Sequence, residues 1–188
     1  MSSLADHEKQ ILLKIARCSI VAAATLEEPP QIPEEAHSEP GLLRPAGVFV
    51  TLLLRGRLRG CIGRLEPDTY LLELVARCAR AAALEDPRFR PLRHEELSGT
   101  EIEISVLSHP EDILPDEIEV GKHGLIVANG QAHGLLLPQV SKQFRWNSER
   151  FLEETCEKAG LPRDAWRFPE TRVRAFTAVV FSEKEMAG

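Results

Sequence analysis

GVFVTLLLRGRLRGCIGRL, residues Gly47–Leu65, reads as two strands folded back over a short Arg55-Gly56 turn. The first arm, Val48 to Leu54, is apolar or Thr at every position, the pattern of a strand covered on both faces. The return arm differs. Leu58, Cys61, Ile62 and Leu65 alternate with Arg57, Arg59 and Arg64 and with two glycines. A glycine inside a strand weakens it, so Gly60 and Gly63 call for a bulge or for a backbone or ligand in close approach. A two-residue loop places Thr51 opposite Gly60 and Val50 opposite Cys61.

On the N-terminal side, Ile11, Leu12, Ile15, Cys18 and Ala22 recur at helical spacing, which predicts an amphipathic helix from Asp6 to about Thr25. The stretch 27–40 holds five Glu and four Pro with little apolar content. It is expected to be a mobile acidic surface loop, with partner docking as the alternative. Beyond the hairpin, Pro67-Asp68-Thr69 opens a second helix, with Asp68 or Thr69 as its cap and Leu71, Leu74, Val75, Cys78 and Ala82 as its buried stripe. Pro87 ends it near Glu85. The loop Asp86-Pro87-Arg88-Phe89-Arg90-Pro91 can turn Phe89 inward while Arg88 meets a carboxylate, or it can form the rim of an anion- or ligand-binding site.

Thr100 to Leu107 alternates Ile102, Ile104 and Val106 with Glu101, Glu103 and Ser105, a strand with one covered face. Gly124 to Ala128 and His133 to Leu137 form a second hairpin across Asn129-Gly130-Gln131. Residues 109–147 are expected to make a smaller β lobe. Asn147 or Ser148 caps a third helix that runs to Ala159, where Gly160 and Leu161 fit a glycine C-cap. Arg172 to Phe181 reads as a last strand. The fold class is therefore α+β: a mixed, mostly antiparallel sheet flanked by about three helices, within a single domain over 1–188.

LRGCIG after GVFVTL resembles the signature hexapeptide of the AMMECR domain family, whose prokaryotic members are called AmmeMemoRadiSam system protein A. The likeness continues, in the family's order, through Asp86-Pro87-Arg88-Phe89, Ile102–Leu107, Gly134–Val140 and Lys158–Leu161. The resemblance implies the same α+β arrangement with a smaller lobe. It also implies a binding or accessory component acting with Memo-like and radical S-adenosylmethionine proteins.

Composition narrows the alternatives. Of the 188 residues, 43% are hydrophobic and 28% charged, enough for a substantial core. No apolar run approaches the ~18 residues needed to span a bilayer and the N-terminus does not read as a signal peptide, so a cytoplasmic location without membrane association is expected. A net charge of −6 makes nucleic-acid binding an unfavourable reading. Four scattered cysteines, Cys18, Cys61, Cys78 and Cys156, predict neither a metal site nor a cluster, and no cofactor motif is present.

Cys61 lies among glycines and arginines, an arrangement that could lower a thiol's pKa and leave a substrate room. As a nucleophile it would need a base; His133 is the candidate, with His94 and His123 as alternatives. The competing roles for Cys61 are packing and pocket lining. Arg57, Arg59 and Arg88, with the backbone at Gly60 and Gly63, are candidates for recognising a small anion or an acidic partner. Internal pairing of the arginines with Glu66, Glu101 or Glu103 is the structural alternative. Three functions follow from these readings: a binding component, an enzyme using Cys61 in a groove, and a regulatory or nucleic-acid-associated protein.

Overall fold

The computed structural model describes residues 4–28 and 31–186, so Pro29 and Pro30 of the acidic stretch lie outside the described residues. In chain order the elements are α1 (Asp6–Thr25), β1 (Val48–Leu54), β2 (Arg57–Arg64), α2 (Leu71–Leu84), β3 (Thr100–Leu107), β4 (Glu111–Asp112), β5 (His123–Asn129), β6 (Ala132–Leu136), α3 (Pro138–Gln143), α4 (Ser148–Lys158), β7 (Arg172–Ser182) and α5 (Glu183–Met186). The seven strands follow the order β2-β1-β3-β7-β5-β6, with β4 on β7. The fold is α+β with a mostly antiparallel sheet, as expected. The chain divides into two compact units, one holding the residues up to Val106 and those from Val179 onward, the other Leu107–Ala178.

In the first unit, β1 pairs antiparallel with β2 on one side and β3 on the other. Val48, Val50 and Leu52, with Ile102, Ile104 and Val106, bury one sheet face against Leu12, Ile15, Ala16 and Ile20 of α1 and Leu71, Leu74, Val75 and Ala82 of α2. Each fully buried aliphatic side chain of this kind contributes about 2 kcal/mol. The hairpin turn has positive φ at Arg55 (53°) and Gly56 (75°), the backbone sense that matches the twist of its flanking strands. In the stretch 27–40, Glu34–Ser38 forms a turn of 3-10 helix whose Ala36 is buried.

Three local expectations change. Thr51 faces Cys61, Val50 faces Ile62 and Leu52 faces Gly60, because a β-bulge beyond Leu53–Leu58 inserts Arg59 as an extra residue and moves the register by one. Cys18 is exposed rather than on the buried stripe. The covered face of α1 is rotated toward Leu12, Ala16, Ser19 and Ala23, and Ser19 can be buried there because its hydroxyl donates to the Ile15 carbonyl at 2.8 Å. Helix α2 starts at Leu71 with Tyr70 as N-cap, and Asp68 binds Arg77 instead of capping.

In the second unit, β5 and β6 form the expected hairpin, with Asn129 paired to Ala132 across Gly130 and Gln131. Asn147 caps α4, its side-chain oxygen accepting from the Arg150 N–H at 2.8 Å. Phe151, Leu152, Thr155 and Cys156 of α4 are buried; Phe151 and Leu152 cluster with Leu125 and Ala175 of the strands, and Cys156 with Val127. The Leu161 N–H closes on the Cys156 carbonyl at 2.9 Å past Gly160, whose φ is 73°. Pro138 ends β6 but also opens α3, a helix not anticipated from the polar sequence there.

Candidate functional site

Alternation along paired strands sets which side chains share the sheet face opposite the two long helices of the first unit. The register puts Cys61, Thr51 and Glu103 in one row across β2, β1 and β3, and Gly63, Phe49 and Ser105 in the next. At ordinary strand spacing, Cys61 and Glu103 stand about 10 Å apart with Thr51 between them. The Thr51 hydroxyl donates to the Cys61 sulfur at 3.3 Å.

β2 has one strand neighbour, so the backbone groups on its other side need partners. Asp86 supplies one. Its carboxylate accepts from the Cys61 N–H at 2.8 Å, from the Arg88 N–H at 3.1 Å, and from Arg88 Nε and Nη2 at 2.9 and 2.7 Å. Asp86 is 4% exposed. The Arg88 guanidinium holds its carboxyl well below the usual carboxylate range, and the backbone donors add to this against the opposing effect of burial. Pro87 shapes the loop so that one carboxylate fastens both the loop and the strand. Phe89 lies under two guanidinium groups, Arg88 at 5.5 Å and Arg59 at 6.0 Å from its ring centre.

The glycines flanking Cys61 have distinct reasons. A methyl group at Gly60 would overlap the Ala82 carbonyl oxygen, so the last turn of α2 rests directly on the strand backbone. At Gly63 it would overlap the Phe49 ring and the Val48 carbonyl. Close approach to the main chain of the return arm is thus a property of both positions.

The arginines separate by task. Arg59, the bulged residue, places Nε and Nη2 on the two Glu96 oxygens at 2.8 and 2.9 Å, and donates to the carbonyls of Arg90 and Pro91 at 2.9 and 3.3 Å. Its partner is Glu96 rather than Glu66, Glu101 or Glu103. Arg57 is exposed and has no ion pair among the described residues. Arg88 keeps 55% of its side chain exposed while bound to Asp86.

Burial raises the pKa of the Cys61 thiol; the Thr51 hydroxyl and Arg88 pull it down without overcoming that effect, and Asp86 and Glu103 push it further up. Glu103 is raised as well, first by burial and then by Glu185 and Glu101. The row therefore presents a neutral thiol, a hydroxyl and a carboxyl inclined to hold its proton. None of the candidate histidines is hydrogen-bonded to the thiol. His133 is exposed on β6 in the second unit, with its Nδ1 on the Gln131 carbonyl at 3.2 Å. His123 Nδ1 accepts from the Glu119 N–H at 3.1 Å, and His94 is exposed in a 3-10 turn. Among the described residues, no group of three His, Cys, Asp or Glu side chains is placed to hold a metal ion. No helix among them is long and apolar enough to cross a membrane.

Sequence reasoning singled out Cys61 and the Asp86–Arg88 pair separately and missed that they form one assembly. The place of Thr51 and Glu103 beside the thiol depends on the bulge and is not legible in the sequence, although Glu103 itself stands out there as one of two alternating carboxylates suited to acid–base chemistry.

The AMMECR1 family model matches residues 13–181. A Methanosarcina barkeri protein is 44% identical over 193 residues, covering 98% of this chain and 95% of that protein. One from Methanothermobacter thermautotrophicus is 44% identical over 188 residues, covering 96% of each. The crystal structure of an uncharacterized protein from Pyrococcus horikoshii superimposes with a TM-score of 0.90 at 40% identity, covering 96% of this chain and 94% of that one.

Proposed function

We propose, given that this chain belongs to the AMMECR1 family, that it is a cytoplasmic binding component that presents the Cys61 strand and its arginine rim to Memo-like and radical S-adenosylmethionine proteins. The observation that carries this reading is the Asp86 fastening. It fixes the main chain at Cys61 through a 2.8 Å hydrogen bond, while burial keeps the neighbouring thiol protonated. A preformed, neutral surface suits recognition, since little ordering entropy is lost on docking. A primed nucleophile needs the reverse, a lowered pKa and a base in reach. Arg57, exposed and unpaired, and the half-exposed Arg88 supply forks for an acidic partner.

The test uses the full chain mixed with the Memo-like and radical S-adenosylmethionine proteins of the same source, followed by native mass measurement. A stoichiometric complex is expected, retained by Cys61→Ser and weakened at least tenfold by Arg57→Glu. Failure to bind either partner would sink the reading. The second reading, an enzyme using Cys61, draws on one feature: Glu103, with its raised pKa, stands in the same row and could move a proton. Turnover abolished by Cys61→Ser would favour it.

A further inference from the structure

Past Cys61, the return strand and the second helix enclose a different site. Ile62, Gly63 and Arg64 of β2, with Arg77, Cys78, Arg80 and Ala81 of α2, line a groove of about 480 Å³, and Glu85 stands at its end. That volume falls within the range of small-molecule sites. The helix period accounts for the arginines. The buried stripe of α2 runs through Leu74, Val75, Cys78 and Ala82, so Arg77 and Arg80, three residues apart, lie together along its margin. Gly63 contributes backbone to the strand side of the groove.

The groove keeps an excess of positive charge, with Arg64, Arg77 and Arg80 set against Glu85 at its end and Asp68 beside it. Asp68 serves two of the three arginines, binding Arg77 closely and standing 3.8 Å from Arg64. Arg80 has neither an ion pair nor a hydrogen bond among the described residues, and its Nη1 is closed off from solvent without an acceptor. An unsatisfied buried donor of this kind is costly, the more so on a charged group. Burial pushes the Cys78 thiol up to about 11, so it stays neutral and offers no counter-charge. A positive groove therefore persists in a chain whose net charge is −6.

We propose that this groove binds a small phosphoryl oxyanion, with Arg80 as the anchoring fork and Arg64 and Arg77 closing over it. Three guanidinium groups offer more donors than the two oxygens of a carboxylate can accept, and the three outer oxygens of a phosphoryl group match them better. No aromatic ring lines the groove, so a base has nothing to stack on and the ligand is smaller than a nucleotide. The site is independent of the partner-binding reading, because neither Asp86 nor Cys61 forms part of its wall.

The experiment is calorimetric titration of the full chain at fixed ionic strength with inorganic phosphate, pyrophosphate and ribose 5-phosphate, with succinate as the carboxylate control. One saturable phosphoryl site is expected, weakened at least tenfold by Arg80→Met and tightened severalfold by Asp68→Asn, which frees Arg77 and Arg64. Equal affinity for phosphate and ribose 5-phosphate would mark a free-phosphate site, and tighter binding of the sugar phosphate a metabolite site; both support the proposal. Absence of saturable binding, succinate binding as tightly, or unchanged affinity in a folded Arg80→Met overturns it. Should Arg80→Met not fold, unchanged affinity in both Asp68→Asn and the exposed-site variant Arg64→Met overturns it equally.

Discussion

The β1–β2 and β5–β6 hairpins solve the same packing problem, and only one of them goes further. Each return strand has a single strand neighbour, and each carries a glycine against which the C-terminal end of a helix rests: Gly60 under the Ala82 carbonyl, Gly134 under Ala159 and the Thr155 carbonyl. A glycine in such a strand is thus explained by helix packing alone. After the contact the two chains part. Beyond α4, Leu161 closes back on the helix's own Cys156 carbonyl, a local stop. Beyond α2, the chain turns through Pro87 and sends Asp86 into the strand, onto the Cys61 N–H. What sets the first hairpin apart is the carboxylate that follows its glycine, and that is where a specific role is to be sought.

Substituting the two glycines is the strongest way to break this comparison. Gly60→Ala and Gly134→Ala each drive a methyl group into helix backbone, which cannot move aside as a side-chain tip can; each is expected to cost about 3 kcal/mol in urea unfolding. They should differ in one respect. Gly60→Ala displaces the end of α2 next to Asp86 and should speed alkylation of Cys61, whereas Gly134→Ala should not. Equal labelling in both variants would show that the fastening does not depend on that contact.

Asp86→Asn tests the fastening itself, and a loss of about 2 kcal/mol is expected at neutral pH, in the range for hydrogen bonds to charged groups. The sign with pH follows from the lowered pKa of this carboxyl. Its contribution is complete above the unfolded value of about 3.9 and is lost as pH falls toward the folded value. The stability gap between the native chain and Asp86→Asn should therefore close as the medium is acidified below about pH 4. A gap that widened in acid would contradict the assignment.

The smallest effect concerns the thiol. Cys61→Ser should change stability by less than about 1 kcal/mol, as for other partly exposed positions. Iodoacetamide at pH 7.5 should label exposed Cys18 first, Cys61 more slowly, and buried Cys78 and Cys156 last. Cys61 labelling should rise steeply only toward alkaline pH, because burial raises its pKa. Cys61 labelling ahead of Cys18 would restore the nucleophile.

The pattern of what was legible in the sequence follows from the range of each interaction. Helix α1 and strand β3 match their expected spans because periodicity over 20 and 8 residues is a local signal. The second hairpin and the Asn147 cap are read from turn and cap chemistry within a few residues. The register of β2 missed by one because the bulge at Arg59 coincides with contacts to Glu96, Arg90 and Pro91, some thirty residues away, which no turn rule contains. Helix α3 has little apolar period to announce it. The Asp86–Cys61 bond joins two motifs that were each visible, and only the path of α2 between them brings the two together.

Arg59 also acts as a frame-shift written in space. Were this one residue threaded into the ladder instead of bulged out of it, β1 would face the sequence one place out of step, and every group from Gly60 onward would swap sides. The sulfur would be driven in among Val50 and its greasy neighbours, and the bare glycine would be left looking outward. The identity of that face is therefore a matter of counting: loss of the unpaired Arg59 alone keeps Thr51 opposite Cys61, whereas loss of the paired Gly60 turns the face over.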